Sequence, residues 1–218
     1  MKKRTLIYLI LLILLTTITF QQRIIFSTFD VEEINIKNTS ILEENDLKIL
    51  LQPIYGKNIF FLKNSEIEKI LIQINFVEGF NIKKKYPRTL DIRIFEKKPI
   101  AILINNREKF YLSDKIELIN FRKLENFKNL PYILGNKDEF KIFYNNLKKI
   151  NFPQKEIKRY ILFESKRWDI ETYDKKIIKL PVKNYTKSLE NYIQLKKKDI
   201  FKKYIIFDYR INDQLILK

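Results

Sequence analysis

The sequence contains no cysteine and no histidine, and it has only three glycines among 218 residues. Without cysteine the chain can form neither a disulfide framework nor a thiol nucleophile. Without histidine it lacks the commonest general base and the commonest transition-metal ligand. Three glycines are also too few to build a glycine-rich loop around a phosphate. We therefore expect no cofactor and no metal site.

The groups that remain for catalysis are carboxylates, lysines, tyrosines and serines. A pair of carboxylates is able to cleave a cell-wall glycan, but the candidate acids stand among lysines and arginines, as solvated surface ion pairs do. None of the six serines is followed by a lysine three positions later, so the Ser-x-x-Lys acyl-transfer motif is absent. We predict that the protein is not an enzyme. The candidate acids are Glu78, Asp91, Glu96 and Glu164.

A long apolar run lies near the N-terminus, where Thr5–Phe20 carries no charge, proline or glycine. As a helix this run rises roughly 24 Å, against a hydrocarbon core of roughly 30 Å. A cleaved signal peptide has a similar basic start, but no small-x-small cleavage site follows, so we prefer an uncleaved anchor. The cations Lys2, Lys3 and Arg4 keep the N-terminus inside, and the rest of the chain is exported. The predicted divisions are a cytoplasmic tail at 1–4, a transmembrane helix at 5–21 and a linker at 22–28.

The chain is strongly basic, with 43 lysines and arginines against 26 acidic residues and a formal charge of +17. Such a surface suits nucleic acid or anionic lipid. The wealth of lysine, isoleucine, asparagine and phenylalanine, with a single alanine, is typical of an AT-rich genome. Since an exported domain rarely meets nucleic acid, we expect no nucleic-acid partner and an attraction to anionic headgroups instead.

Two helices are predicted between residues 40 and 75. Each opens with a Ser-x-x-Glu capping box, the first at Ser40 and the second at Ser65. Apolar residues then recur at helical spacing and mark the buried faces. These residues are Leu47, Leu50 and Leu51 in the first helix, and Ile67, Ile70, Leu71 and Ile74 in the second.

Three strands with alternating apolar residues frame these helices. The order is therefore strand, helix, helix, strand, strand, which predicts two helices on one face of a three-stranded sheet. We assign this α+β unit to residues 29–96. The alternating positions are Ile34 and Ile36 in the first strand, Phe80, Ile82, Lys84 and Tyr86 in the second, and Leu90, Ile92 and Ile94 in the third.

The pattern of apolar residues in 97–218 predicts a mixed β-sheet domain with two or three helices. Short apolar strands begin near Ile100, Phe110 and Ile116 and return between residues 159 and 180. Helical periodicity covers about 138–150 and 184–198. We interpret the single tryptophan, Trp168, as a core aromatic of this domain.

Four short motifs then occur in an order known from one family. Gly56-Lys-Asn-Ile-Phe follows the first helix, and Tyr86-Pro-Arg-Thr-Leu-Asp-Ile joins the last two strands of the first unit. Glu96-Lys-Lys-Pro-Ile-Ala comes next, and Phe207-Asp-Tyr-Arg-Ile stands near the end of the chain. In this order, behind an apolar run, the motifs resemble the FtsQ/DivIB family of bacterial division proteins, with its POTRA domain and β domain.

The resemblance implies a non-catalytic scaffold of the division machinery, the divisome. Such a protein crosses the inner membrane once, keeps its C-terminal domains in the periplasm and links cytoplasmic and periplasmic components at the septum. Its implied partners are proteins similar to FtsB and FtsL, together with other divisome membrane proteins. The alternative is a membrane-anchored envelope enzyme or receptor that uses a POTRA-like module.

We predict the partner site at the last strand, about Lys203–Arg210, which we expect to close a sheet with one edge uncovered. The apolar run from Tyr204 to Phe207 favours use of this edge by a partner strand. Alternatively, Lys202 and Lys203 blunt the edge.

The resemblance implies that FtsB adds its strand at this edge. Lys196 and Lys197, at the end of the last helix, add a basic patch for an acidic partner segment. An internal ion pair between Arg210 and Asp208 is disfavoured, on the reasoning that strand neighbours face opposite ways. The residues that the resemblance brings to the contact are Tyr209, Arg210 and Ile211.

Overall fold

The computed structural model describes residues 2–17, 28–211 and 214–218. Its first helix, α1, spans Lys2–Thr17, and every side chain from Leu6 to Leu15 is more than half exposed. Among the described residues, no helix is both long enough and apolar enough to span a membrane. The predicted transmembrane segment, 5–21, and the predicted linker, 22–28, both include residues outside the described ranges.

The chain divides into two units, Met1–Lys97 and Lys98–Lys218. After α1, the first unit contains β1 (Glu33–Lys37), α2 (Glu44–Leu50), α3 (Asn64–Leu71), β2 (Val77–Lys85) and β3 (Thr89–Glu96). The predicted order of strand, helix, helix, strand, strand is confirmed. β3 is the central strand, with β1 parallel to it on one side and β2 antiparallel on the other.

The core of the first unit lies between this sheet and the two helices. Leu90, Ile92 and Ile94 are fully buried, so the predicted inward face of β3 is confirmed. Leu50, in contrast, is 49% exposed, and its predicted place in the core is wrong. Leu47 and Leu51 stand four positions apart and both turn inward, whereas Leu50 ends α2 on its outer side.

Both predicted capping boxes are wrong. α2 begins after Glu43 without a side-chain cap, because Ser40 instead donates its hydroxyl and its N–H to Glu96. α3 begins after Lys63, whose N–H donates to the Glu66 carboxylate at 3.2 Å. The glutamate that caps α3 therefore lies two positions before the Glu68 of the predicted box.

The second unit is a nine-stranded sheet with two helices. Its strand order is β12-β11-β10-β9-β8-β7-β4-β5-β6, with parallel pairing between β4 and β7, β7 and β8, and β10 and β11. The strands are β4 (Pro99–Asn105), β5 (Glu108–Ser113), β6 (Leu118–Asn120), β7 (Tyr132–Leu134), β8 (Ile157–Leu162), β9 (Trp168–Thr172), β10 (Ile177–Lys179), β11 (Ile206–Asp208) and β12 (Ile216–Leu217). The helices are α4 (Lys137–Lys149) and α5 (Tyr185–Lys196).

One row of register partners crosses this sheet from β4 to β12 and forms the floor of its core. The residues of α4 and α5 that cover the row include Phe143 and Tyr192. Trp168 is 4% exposed and stacks on Phe143 at 4.7 Å between ring centroids, which confirms its role as a core aromatic. The row consists of Leu103, Ile133, Tyr160, Ile170, Ile178, Phe207 and Leu217.

Candidate partner-binding edge

The predicted edge strand is not at the edge of the sheet. β11 lies between β10 and β12, and β12 pairs with it in antiparallel register, Phe207 opposite Leu217 and Asp208 opposite Ile216. The expectation of an uncovered edge at Lys203–Arg210 is therefore wrong, because the chain turns back after Ile211 and adds one further strand. The apolar triplet Leu215-Ile-Leu was the signal for that strand, but it is too short to show an alternating pattern.

The backbone of β12 has one side turned toward β11 and one side turned away. Ile206 donates its N–H to the Lys218 carbonyl at 2.9 Å, and Lys218 donates its N–H to the Ile206 carbonyl at 3.1 Å. In an antiparallel ladder the next residue, Leu217, points its N–H and C=O the other way. Within the described part of the chain, these two groups of Leu217 lie on the open side of the sheet.

Three of the predicted contact residues belong instead to the interior of the second unit. Phe207 is 1% exposed and packs edge-on against Tyr192, with ring centroids 5.0 Å apart. Tyr209 is buried and donates its hydroxyl to the Asn191 amide oxygen at 2.9 Å. Tyr204 is half-buried beside the same core. Burial raises the pKa of the Tyr209 phenol above its ordinary value, so this group is neutral at physiological pH.

Arg210 and Ile211 are the predicted contact residues that reach the surface beside β12. Arg210 forms two short hydrogen bonds to Asp208, from Nε at 2.8 Å and from the terminal nitrogen at 2.6 Å. The disfavoured ion pair is thus present, because residues two positions apart lie on the same side of an extended chain. The hydrogen bonds from Arg210 lower the pKa of Asp208 below its ordinary value.

This ion pair ends a row of alternating charges on the outer face of the sheet. Asp169 on β9 stands opposite Lys179 on β10, which stands opposite Asp208 on β11. Arg167 lies 3.3 Å from the Asp169 carboxylate at the other end of the row. Burial raises the pKa of Asp169, and the charges of Arg167, Lys179 and Arg210 act against this shift. The row was not predicted from the sequence, although the spacing of two between Arg167 and Asp169 was its signal.

The two lysines at the end of α5 do not form a joint free patch. Lys196 is half-buried and pairs with Glu156, while Lys197 is exposed at the C-terminal cap of α5. Only Lys197 is therefore presented to solvent as predicted.

A groove of about 450 Å³ runs between α5 and residues that precede β12, among them Ile211 and Leu215. Its lining joins the polar side of α5 to the segment around Ile211, with Tyr209 at its base. Lys187, Ser188, Asn191 and Leu215 also line the groove.

The candidate acids of the first unit have structural partners. Asp91 pairs with Lys85 at 2.7 Å and with Lys37 at 3.4 Å, and the hydrogen bond from Lys85 lowers its pKa. Glu96 accepts hydrogen bonds from Ser40 and from the N–H groups of Ile41 and Leu42, all between 2.6 and 3.0 Å. Such contacts hold the loop before α2 against the end of β3. Within the described residues, no group of three acidic side chains is placed to hold a metal ion.

A fold of this kind, two helices on a three-stranded sheet ahead of a larger mixed sheet, defines a POTRA-bearing α+β protein. Residues 29–97 match the model of the FtsQ-type POTRA domain. The chain is 26% identical over 193 residues to the cell division protein FtsQ of Rickettsia bellii, a match covering 81% of this chain and 72% of that protein. It is 21% identical over 207 residues to FtsQ of Agrobacterium fabrum, covering 93% of this chain and 65% of that protein.

A third relative is the cell division protein DivIB of Clostridium acetobutylicum, 27% identical over 87 residues, or 40% of this chain and 34% of that protein. These matches confirm the resemblance of the chain to the FtsQ/DivIB family. The segment shared with the Agrobacterium protein spans less than two thirds of that relative's length.

Proposed function

We propose that this protein is a non-catalytic scaffold of the bacterial division machinery. The observation that carries the proposal is the FtsQ-type POTRA domain at residues 29–97, joined to a second unit within a chain whose relatives are cell division proteins. Depletion tests it: cells that lose a division scaffold form filaments with unfinished septa. Cells that divide normally after depletion would contradict it.

The scaffold is anchored in the inner membrane by its N-terminal apolar run. Lys2, Lys3 and Arg4 precede this run and favour an N-terminus in the cytoplasm. The remaining chain then lies in the periplasm at the division site. The proposed divisions are a tail at 1–4, an anchor at 5–21, a linker at 22–28, a POTRA domain at 29–96 and a β domain at 97–218.

The proposed partner site is the open side of β12, which receives a strand from a protein similar to FtsB, with an FtsL-like protein in the same assembly. Strand addition needs unpaired backbone groups, which Leu217 offers, and side chains that choose the partner, such as Ile216, which is 40% exposed. Arg210 and Ile211, which follow β11, and Lys197, at the end of α5, are exposed and are the further proposed contacts. Tyr204, Phe207 and Tyr209 support the site from the core.

The other sheet offers a longer edge, β2, but that edge is protected. It contains an irregular register between Val77 and Gly79 and carries Lys83, Lys84 and Lys85 at its end. Bulges and lysines are the features by which natural edge strands avoid pairing. β12 has a regular register with β11 and a single lysine, Lys218, beside it.

A proline at position 217 tests the proposed edge. Leu217→Pro removes an N–H that points away from β11, so the ladder with β11 is kept while a partner strand loses a donor. The matched control, Leu217→Ile, keeps this N–H and the apolar side chain. We expect the proline variant to lose capture of the FtsB-like partner from solubilised membranes and the isoleucine variant to retain it. Equal capture by both variants would place the partner site elsewhere.

A further inference from the structure

One end of the POTRA domain carries an aromatic cluster of the half-buried Phe29 and the exposed Phe60 and Tyr86. Together with the exposed Phe61, the neighbour of Phe60 in the chain, these residues are termed the aromatic end. The ring of Phe60 contacts Phe29 edge-on at 4.8 Å and stacks on Tyr86 at 4.6 Å between centroids. Phe60 is 52% exposed, Tyr86 56% and Phe61 73%. Contiguous exposed aromatic surface of this kind marks an interaction site more often than a passive surface.

The aromatic end is also the end at which the chain arrives from α1. β1 runs parallel to β3, so the residues before β1 lie beside the turn that joins β2 to β3. Arg88 in that turn donates from Nε to the Thr28 carbonyl at 2.9 Å. Ile59 donates its N–H to the Phe29 carbonyl at 2.8 Å. Thr28 and Phe29, the first described residues after α1, are therefore fixed at the aromatic end.

The connector restricts how far this end can lie from α1. Residues 18–27 separate α1 from Thr28, and ten residues span at most about 33–36 Å when fully extended. The side chains of α1 from Leu6 to Leu15 are apolar and exposed. If these side chains are inserted in a bilayer, the connector is therefore short enough to keep the aromatic end near the surface of that bilayer.

The chemistry of the aromatic end suits the headgroup layer. Phenylalanine and tyrosine rings, mixed with lysines, are the side chains that settle at a membrane interface. Lys84 on β2 donates to the carbonyl of Leu62, the residue after Phe61, at 2.6 Å, and Lys63 is the next residue in the chain. Without the three cations at positions 2–4, the chain carries 40 basic and 26 acidic residues, and this formal charge of +14 further favours an anionic leaflet.

We propose that the aromatic end is a membrane-docking surface, on which Phe60, Phe61 and Tyr86 insert into the interfacial layer of the bilayer that holds the anchor. This inference rests on the proposed membrane anchoring. Docking orients the POTRA domain with its aromatic end on the bilayer. The start of α2 and the end of α3 are then directed away from the bilayer.

The absence of native cysteine makes a site-specific test direct. Phe61→Cys carries a nitroxide label at the aromatic end, in the full chain reconstituted into vesicles of phosphatidylethanolamine and phosphatidylglycerol. The matched control is Ile72→Cys, since Ile72 is 66% exposed and follows the far end of α3. The eight residues of α3 separate the two positions by about 12 Å. Collision of each label with oxygen and with a water-soluble nickel chelate is measured.

We expect the label at position 61 to be several-fold more accessible to oxygen than to nickel, and the label at position 72 to show the opposite. No other protein is present, so this result without dipolar broadening between labels is produced by lipid. Equal nickel accessibility at both positions in chains that float with the vesicles would overturn the docking surface while leaving the anchor intact. Failure to float would overturn the anchor itself. Dipolar broadening between labels at position 61 would identify a second copy as the occupant and also overturn the proposal.

Discussion

In each of the two units one strand ends at a residue with a carboxylate, and the two carboxylates differ in how far along the chain their hydrogen-bond partners lie. Glu96 is the last residue of β3. It accepts hydrogen bonds from the segment Ser40–Leu42, which lies more than fifty positions earlier in the chain. Asp208 is the last residue of β11 and accepts from Arg210, two positions later. The first contact joins distant parts of a domain, whereas the second fixes the direction of one surface cation beside β12. The same acceptor chemistry therefore stabilises the fold in one unit and arranges a surface in the other.

The largest effect on stability is expected from a substitution in the core of the first unit. Leu71 is fully buried, so Leu71→Ala should lower the free energy of unfolding by about 2–5 kcal/mol. The matched control is Leu50→Ala, which removes the same atoms from a side chain that is 49% exposed. Its cost should be below about 1 kcal/mol. Denaturant unfolding of the two variants measures the difference. Equally high costs would mean that the orientation of α2 is wrong, and equally low costs that the orientation of α3 is wrong.

Glu96→Gln breaks the long-range contact and should cost about 1.5–3 kcal/mol, because hydrogen bonds to an ionised acceptor are lost. Burial of the Glu96 carboxylate acts to raise its pKa, but the hydrogen bonds from Ser40, Ile41 and Leu42 outweigh burial and lower the pKa. The contribution of Glu96 is then fully present above the unfolded pKa, about 4.3, and is lost as the pH falls below it.

Unfolding midpoints between pH 7 and pH 3 check this dependence. The wild-type chain should lose more stability on acidification than the Glu96→Gln variant, which has no carboxylate to protonate at this position. Parallel pH profiles for the two proteins would show that the contact contributes little.

Arg210→Ala should have the smallest effect on stability. Arg210 is exposed and its pairing with Asp208 is local, so we expect a change below about 1 kcal/mol. If Arg210 is directed toward an acidic partner segment, capture of the partner should still weaken and lose part of its dependence on salt. A large loss of stability in this variant would show that Arg210 stabilises the fold, as Glu96 does. The proposed difference between the two ion contacts would then be wrong.

The strand faces that follow from alternating apolar residues were predicted correctly, whereas the helical spacing that placed Leu50 in the core was not a safe guide. The alternation of Leu90, Ile92 and Ile94 identified the inward face of β3, and the order of elements in the first unit followed from such patterns. The family motifs were likewise readable without coordinates, including the turn at Tyr86-Pro-Arg. These signals depend only on residues that are close in sequence, so they can be recognised without knowledge of contacts with the rest of the chain.

Two of the errors arose where a distant or very short element decides the structure. Ser40 has the form of a helix cap, but Glu96 takes its hydrogen bonds from 56 positions away. β12 has two residues, and a strand of that length shows no period. Missing β12 moved the expected edge to β11, and buried residues such as Phe207 and Tyr209 were then taken for contacts.

Residue-resolved hydrogen exchange of β12 tests the proposed partner edge most directly. The amide of Lys218 bonds to Ile206 in the free protein and should be protected with or without a partner. The amide of Leu217 points to the open side of the sheet and should exchange rapidly until an FtsB-like strand is added, when it becomes protected. If the partner binds and the exchange of Leu217 does not change, strand addition at β12 is contradicted.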